Sequence, residues 1–270
     1  MIRKSTVRKI LSLFHLSVLR RSTLENLIDI VSYTNSSLVS KMPLMDVIIG
    51  ESSNSVSRNQ IIEAALASTS QLGQDLFVLS QLGFKRNGFF VEFGATNGVD
   101  LSNTLLLERN FQWNGILAEP GKTWHKSLKL NREAHIDFSC IWAQSYISLE
   151  FNETSEAELS TIESFSNSDS HAHVRESGKR YSVETLSLND LLVKYDSPEI
   201  IDYLSIDTEG SEYVILECLN FNKWKFRVIT CEHNYTPNRK KIEALLNRNG
   251  YKRVLTEISK FDDWYVLDRY

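Results

Sequence analysis

The residues of this 270-residue chain whose types could do chemistry fall in four short clusters, each directly after an apolar run. Gly94-Ala95-Thr96-Asn97-Gly98 follows Phe89 to Phe93, and Glu119 follows Gly115 to Ala118. Asp207 and Glu209 follow Ile200 to Ile206, while Glu232-His233-Asn234 follows Arg227 to Cys231. Apolar runs of this length read as buried strands, and an open α/β sheet binds ligands beyond the carboxyl ends of its strands. Four clusters in that one position point to a single small-molecule site. The small residues Gly94, Ala95 and Gly98 leave room for a ligand at the backbone, and Glu119, 25 residues past Gly94, stands where doubly wound folds hold the two hydroxyls of a ribose.

The first turn narrows the ligand by what it lacks. A pyrophosphate cradle needs G-x-G-x-x-G, and here Thr96 occupies the place of the second glycine; no G-x-x-x-x-G-K-[ST] run occurs either. Glu92, two residues before Gly94, sets a carboxylate beside the turn, where it repels phosphate and suits a cationic ligand. A nucleoside that carries a sulfonium and an amino acid meets these constraints, and S-adenosylmethionine is such a ligand.

A methyl transfer to a hydroxyl needs in-line positioning and a group that takes the hydroxyl proton. His233, whose ordinary pKa lies nearest neutrality, is one candidate base. Asp207 is a second, if crowding by Glu209 and Glu232 raises its pKa. A third option, ranked below these two, is a divalent cation held by Asp207, Glu209, Glu232 and His233. The structural alternatives are plainer: in them Asp207 and Glu209 serve only as N-caps of a helix starting near Ser211, and His233 only as a loop hydrogen-bond partner.

These clusters require strands and helices in alternation. Leu101, Leu105 and Leu106 predict a helix that opens just after the Gly94 turn, and Trp124, Leu128 and Leu130 predict the next. His135 to Trp142 reads as one strand and Ile147 to Phe151 as an extended piece. Residues 152–180 hold seven serines and few large apolar side chains, so they read as an exposed excursion of low local stability, either a lid or an idle loop. Helices follow at Leu188 to Tyr195, around Val214, Ile215, Cys218 and Leu219, and around Ile242, Leu245 and Leu246. Two strands without a helix between them, Tyr251 to Ile258 and Trp264 to Leu267, close the chain. The pattern is a mostly parallel sheet whose last strand inserts antiparallel. Before Gly73 only helical spacings occur, at Leu24, Leu27, Ile28 and Val31 and again at Ile61, Ile62, Ala65 and Leu66. The expected division is a helical N-terminal annex over residues 1–70 and one catalytic domain over 71–270. Gln74 and Asp75 read as caps of the helix that follows them.

With 42% hydrophobic and 24% charged residues the composition is that of an ordinary globular chain. A net charge of −4 argues against a general nucleic-acid binder. The first 21 residues carry six basic side chains and no acid, leaving 24 basic against 34 acidic residues in the remainder. That segment, with His15 interrupting its apolar run, is too short to span a bilayer; it could touch an anionic membrane surface, with a solvated or packed helix as the plainer reading. Cys140, Cys218 and Cys231 lie in apolar runs without metal-type pairing and read as buried free thiols of a cytoplasmic protein.

The runs Gln71 to Asp75 (QLGQD), Phe89 to Ala95 (FFVEFGA) with Asn97 and Gly98, Leu101 to Thr104 (LSNT), Gly115 to Pro120 (GILAEP), Leu204 to Glu212 (LSIDTEGSE) and Glu232 to Asn234 (EHN) resemble the FkbM-type S-adenosylmethionine-dependent methyltransferases. The resemblance covers roughly residues 70 to 268. It implies the class I methyltransferase fold, a Rossmann-like sheet with helices on both faces, and O-methylation of a small-molecule or saccharide acceptor in polyketide, saccharide or polysaccharide biosynthesis. It also implies that Glu92, Gly94, Ala95, Asn97 and Gly98 line the methionine end of the cofactor and that Glu119 holds its ribose. Ile141 and Trp142 fall where adenine is usually sandwiched, although the acid that many such enzymes place there is missing. Two rivals stand beside this reading. One is a nicotinamide-dependent oxidoreductase, which Thr96 and Glu92 disfavour; the other is a non-catalytic scaffold for glycan assembly, docked through the basic N-terminus.

Overall fold

The computed structural model describes residues 40–50 and 57–268. The basic segment and the periodic Leu24, Leu27, Ile28 and Val31 lie outside the described residues. Eleven strands occur among the described ones: β1 Phe89–Phe93, β2 Asn114–Ala118, β3 His135–Asp137, β4 Cys140–Trp142, β5 Ser148–Glu153, β6 Thr161–Ile162, β7 Lys179–Ser187, β8 Ile200–Ile206, β9 Lys225–Glu232, β10 Tyr251–Val254 and β11 Asp262–Leu267. Seven of them form the main sheet in the order β10-β11-β9-β8-β1-β2-β3. All neighbours from β9 to β3 run parallel, and β11 inserts antiparallel between β9 and β10. This is the Rossmann-like class I sheet expected from the sequence, with its strand order reversing between β1 and β8.

Side chains alternate across this sheet, as the pleat requires. Val91, Ile116, Leu204, Ile229 and Tyr265 face one layer, packed by helices Leu188–Lys194, Glu212–Glu217 and Asn238–Arg248. Phe90, Leu117, Tyr203, Val228 and Trp264 face the other, packed by helices Arg58–Ala67, Gln74–Gln81, Leu105–Phe111 and His125–Asn131. Both faces are therefore dry, which is why the central strands read as continuous apolar runs. Residues 40–50 are helical, and Leu44 and Ile48 join the second layer together with Ile61, Ala64 and Ala65. Ser57 and Gln60 form a capping box that starts Arg58–Ala67. Asp75 is no surface cap: it is buried, and its Oδ1 accepts from Ser68 Oγ, Ser70 Oγ and the Leu76 N–H.

Register sets the site. Phe93 pairs with Ala118 and with Ile206, Ile206 pairs with Cys231, and Asp262 pairs with Glu232. Gly94, Glu119, Asp207, Glu232 and Asp262 consequently stand in one row along the carboxyl edge of the parallel strands β2, β1, β8 and β9.

Three expectations require correction. His135 to Trp142 is two strands, because Asp137 accepts the Ser139 N–H in a tight turn that sends β4 into a second sheet. That sheet, ordered β4-β7-β5-β6, takes in both ends of residues 152–180 and Thr161–Ile162, and short helical turns at Ala157–Leu159, Glu163–Phe165 and Ala172–Arg175 fill the rest, so the segment is ordered although much of it is exposed. Arg175, fully buried, fastens the segment with ion pairs of 2.9 Å to Asp169 and 2.8 Å to Glu209. Finally, the helix that follows the Gly94 turn begins only at Leu105. Leu101 lies outside it at φ 59°, exposed, in a bridge to Ser70.

Candidate functional site

A cavity of about 770 Å³ opens above the row of strand ends. Of the residues singled out in the sequence, Glu92, Gly94, Asn97, Glu119, Ile141, Asp207, Glu209 and Glu232 line it. Ala95, Gly98, Trp142 and His233 do not. Ala95 is buried in the core layer beneath the sheet's edge, and Trp142 packs edge-on against Phe165 at 6.0 Å in the second sheet.

The two glycines are needed for chain packing more than for ligand approach. A Cβ at Gly94 would lie 2.0 Å from the Asp207 carbonyl oxygen, so the ends of β1 and β8 can meet only at glycine. A Cβ at Gly98 would press on Arg132 and Leu128. Both adopt positive φ, 73° and 78°, as does Thr96 between them at 47°. Asn97 shapes the turn by accepting the Val99 and Asp100 N–H groups with its Oδ1.

Glu92 behaves differently from the expectation that it serves a cationic ligand. Its carboxylate is buried and accepts from the Asn103 N–H at 2.7 Å, from Ser102 Oγ at 3.1 Å and from Thr104 Oγ1 at 2.5 Å. Arg132, its side chain fully buried, lies 3.6 Å from Glu92 and donates to Ser102, Thr104 and Glu108. Glu92 thus anchors the 102–104 loop, with its charge compensated inside the protein. Sequence reasoning missed Arg132, since nothing around it marks it; its partners lie 24 or more residues away.

Glu119 lines the cavity just past the end of β2. Its Oε2 accepts the Thr96 N–H at 2.8 Å and its Oε1 the Gly121 N–H at 2.7 Å, which fixes the carboxylate at the cavity wall. Burial pushes its pKa up to about 7, against the pull of those two donors.

Asp207, Glu209 and Glu232 form the acidic floor, with ligand oxygens all within 4.8 Å of one another. Burial raises all three pKa values; that of Glu209 reaches about 9, and the neighbouring Asp207 adds to the rise in both Glu209 and Glu232. Asn234 Nδ2 donates to Glu209 at 3.2 Å and to Glu232 at 2.8 Å. Glu209 at φ 57° and Asn234 at φ 41° hold backbone conformations that non-glycine residues rarely adopt. Neither Asp207 nor Glu209 caps the following helix. The N-cap is Ser211, without a side-chain cap bond, and Glu212 instead ties the preceding turn by accepting the Thr208 and Gly210 N–H groups.

His233 is the main correction among the site residues. It is buried and turned away from the cavity, with Nδ1 accepting the Tyr235 N–H at 3.0 Å and Nε2 facing Asp263 at 3.7 Å. Burial lowers its pKa. It is therefore neither a base for the cavity nor a fourth member of the acidic cluster, and the loop hydrogen bond is its role. Of the three cysteines, Cys140 and Cys231 are buried as expected and Cys218 is exposed. No helix among the described residues is long and apolar enough to cross a membrane.

A sequence model of the methyltransferase FkbM domain matches residues 92–253, well over half of the chain. No curated protein is detectably similar in sequence. Among solved structures, a precorrin-6y C5,15-methyltransferase from Geobacter metallireducens GS-15 is similar at 14% identity and a TM-score of 0.39, over 70% of this chain and 75% of that one. The METTL16 MTase domain is similar at 11% identity and 0.39, over 72% and 65%. A putative RNA methyltransferase from Pyrococcus horikoshii is similar at 11% and 0.37, over 81% and 100%. Likenesses this remote add nothing to the strand order described above.

Proposed function

The chain belongs to the FkbM methyltransferase family, and from that premise we propose that it carries a methyl group from S-adenosylmethionine to a hydroxyl of a neutral sugar or similar small metabolite. The observation that carries this reading is the charge of the cavity wall. Eight acidic side chains line it, of which only Glu92 and Glu209 have an arginine behind them, Arg132 and Arg175, and among the described residues no lysine or arginine lines the cavity itself. A wall of that sign attracts a sulfonium nucleoside and repels a dinucleotide diphosphate, which counts against a nicotinamide-dependent oxidoreductase. The same sign disfavours phosphorylated or carboxylated acceptors.

When bound, S-adenosylmethionine supplies an electrophilic methyl group whose leaving group is a neutral thioether. Holding it falls to residues already placed: Glu119, fixed by two backbone donors, accepts the ribose hydroxyls; the turn from Gly94 to Asn97 offers backbone to the methionine end; Ile141 provides an apolar wall for the base. The acceptor hydroxyl needs a proton acceptor. Asp207 and Glu232 stand at the cavity floor with pKa values raised by burial, the condition under which a carboxylate can act as a base near neutral pH. The far wall, from Glu156 to Ser160 and from His171 to Val174, comes from the segment that contributes to the second sheet, and this segment is assigned the choice of acceptor.

Calorimetry tests the reading. The full chain is expected to bind S-adenosylhomocysteine one to one and to show no NADH fluorescence response. Absence of S-adenosylhomocysteine binding at millimolar concentration would overturn it. For the catalytic part, Asp207→Asn should lower methyl transfer by roughly 100-fold or more with the fold retained, whereas a scaffold would keep its biological role with that substitution.

A further inference from the structure

The acidic floor is crowded by design of the sheet. Asp207 and Glu232 follow directly paired residues on adjacent parallel strands, and Glu209 is turned towards them by its positive φ and held by Arg175. Arg175 also pairs with Asp169, so it cannot balance the three carboxylates by itself. A second, independent feature lies beside the cluster. A small chamber of about 40 Å³ is walled by Asp207 and Glu232 together with Asn103 and Asp262. Asn103 and Asp262 are at least nine-tenths buried, and the Oδ1 atom of each accepts no hydrogen bond from the protein. The other ends of both side chains are committed: Asn103 Nδ2 donates to Ser205, and Asp262 Oδ2 accepts from Gln74 and Trp264. Among the described residues no lysine or arginine lines the chamber. Both side chains therefore line a space already bounded by acids, and among the described residues no hydrogen-bond donor reaches either of the two oxygens.

We propose that Asp207, Glu209 and Glu232 bind a divalent cation, and that a water on this cation sits in the chamber and donates to Asn103 Oδ1 and Asp262 Oδ1. The chamber has room for a water of that kind. All the ligands are carboxylate oxygens, and His233, the nearest nitrogen donor in sequence, is turned away, so the site suits a hard ion such as Mg²⁺ or Mn²⁺ rather than zinc or copper. The remaining coordination positions open on the large cavity, where an acceptor hydroxyl would become a ligand and a stronger acid. That catalytic sense rests on the methyltransferase reading; the existence of the ion site does not.

The test uses Mn²⁺ alone as the probe, followed by electron paramagnetic resonance on the full chain, with S-adenosylhomocysteine calorimetry in EDTA run in parallel. One Mn²⁺ per chain, displaced by Mg²⁺, is expected, with binding lost in Glu232→Gln. Asp262→Asn must keep its oxygen towards Gln74 and Trp264 and so turns an N–H into the chamber; affinity should fall roughly 10-fold, the usual effect of a group that orders metal-bound water. A folded wild type that leaves the Mn²⁺ signal unchanged to millimolar concentration, or a folded Glu232→Gln that binds as the wild type does, would overturn the proposal. Binding of S-adenosylhomocysteine without Mn²⁺ binding sinks the ion site and leaves the methyltransferase reading standing; Mn²⁺ binding without S-adenosylhomocysteine binding does the reverse.

Discussion

Glu119 offers the sharpest quantitative prediction. Burial lifts its pKa from an ordinary 4.5 to about 7, so in the free protein it is half protonated near neutrality. Two signs follow. For folding, a carboxyl whose pKa is higher in the folded state contributes stability that is full below 4.5 and lost as pH rises through about 7, a difference of about 3 kcal/mol. For binding, ribose hydroxyls are donors and favour the ionised form, so affinity must rise with pH through the same range. Hydrogen bonds to a charged group contribute about 1.5–3 kcal/mol, which moves the bound carboxyl down by one to two pKa units, and affinity for S-adenosylhomocysteine should be roughly 7- to 20-fold lower at pH 5.5 than at pH 8. Glu119→Gln removes the titration. It also leaves one of the Thr96 and Gly121 N–H groups facing an amide NH₂, so its affinity should be low and nearly flat with pH. Isothermal calorimetry from pH 5.5 to 8 on both proteins, with thermal melts confirming the fold, measures the difference between the two profiles. A wild-type profile as flat as that of Glu119→Gln would refute the assignment of Glu119 to the ribose.

Two further predictions concern the frame. Gly94→Ala forces a side chain into a left-handed conformation and drives its Cβ into the Asp207 carbonyl; it should cost about 3 kcal/mol or more in urea unfolding, since neither contact can relax by side-chain rotation alone. Arg175→Leu keeps the bulk but leaves Asp169 and Glu209 without their cation, and a loss of about 3–5 kcal/mol is expected, with proteolysis first appearing within residues 152–180.

How far the site was legible depended on whether a residue's role was local. Glu119, Asp207 and Glu232 could be placed because each ends an apolar run, and a strand's end is visible in sequence. Gly94 was also legible, but for another reason than its true one: the turn was expected to make room for a ligand, whereas the backbone of β8 occupies the space beside it. His233 shares the Glu232 strand end and could not be told apart from it, because the side-chain direction after the last ladder residue depends on the loop and on Asp263 of β11. The serines and acids of 152–180 look solvated and many are, but composition does not show that Asn152, Ser166 and Arg175 are buried and bonded to one another or to the site.

The sequence by itself determined the alternation of strand and helix, the mostly parallel sheet with an antiparallel last strand, and the edge at which the polar groups collect. Those follow from periodicity and from the rule that polar groups gather at strand ends, both of which need only neighbours along the chain. The tertiary structure alone decided which acids share a floor, which are neutralised from within, and which acceptors are left facing a chamber. Arg132 neutralises Glu92 from 40 positions away and Arg175 meets Glu209 from 34, while Gln74 and Asp262 join across 188. The charge that remains for a ligand is the residue of those distant pairings, and no local pattern encodes them.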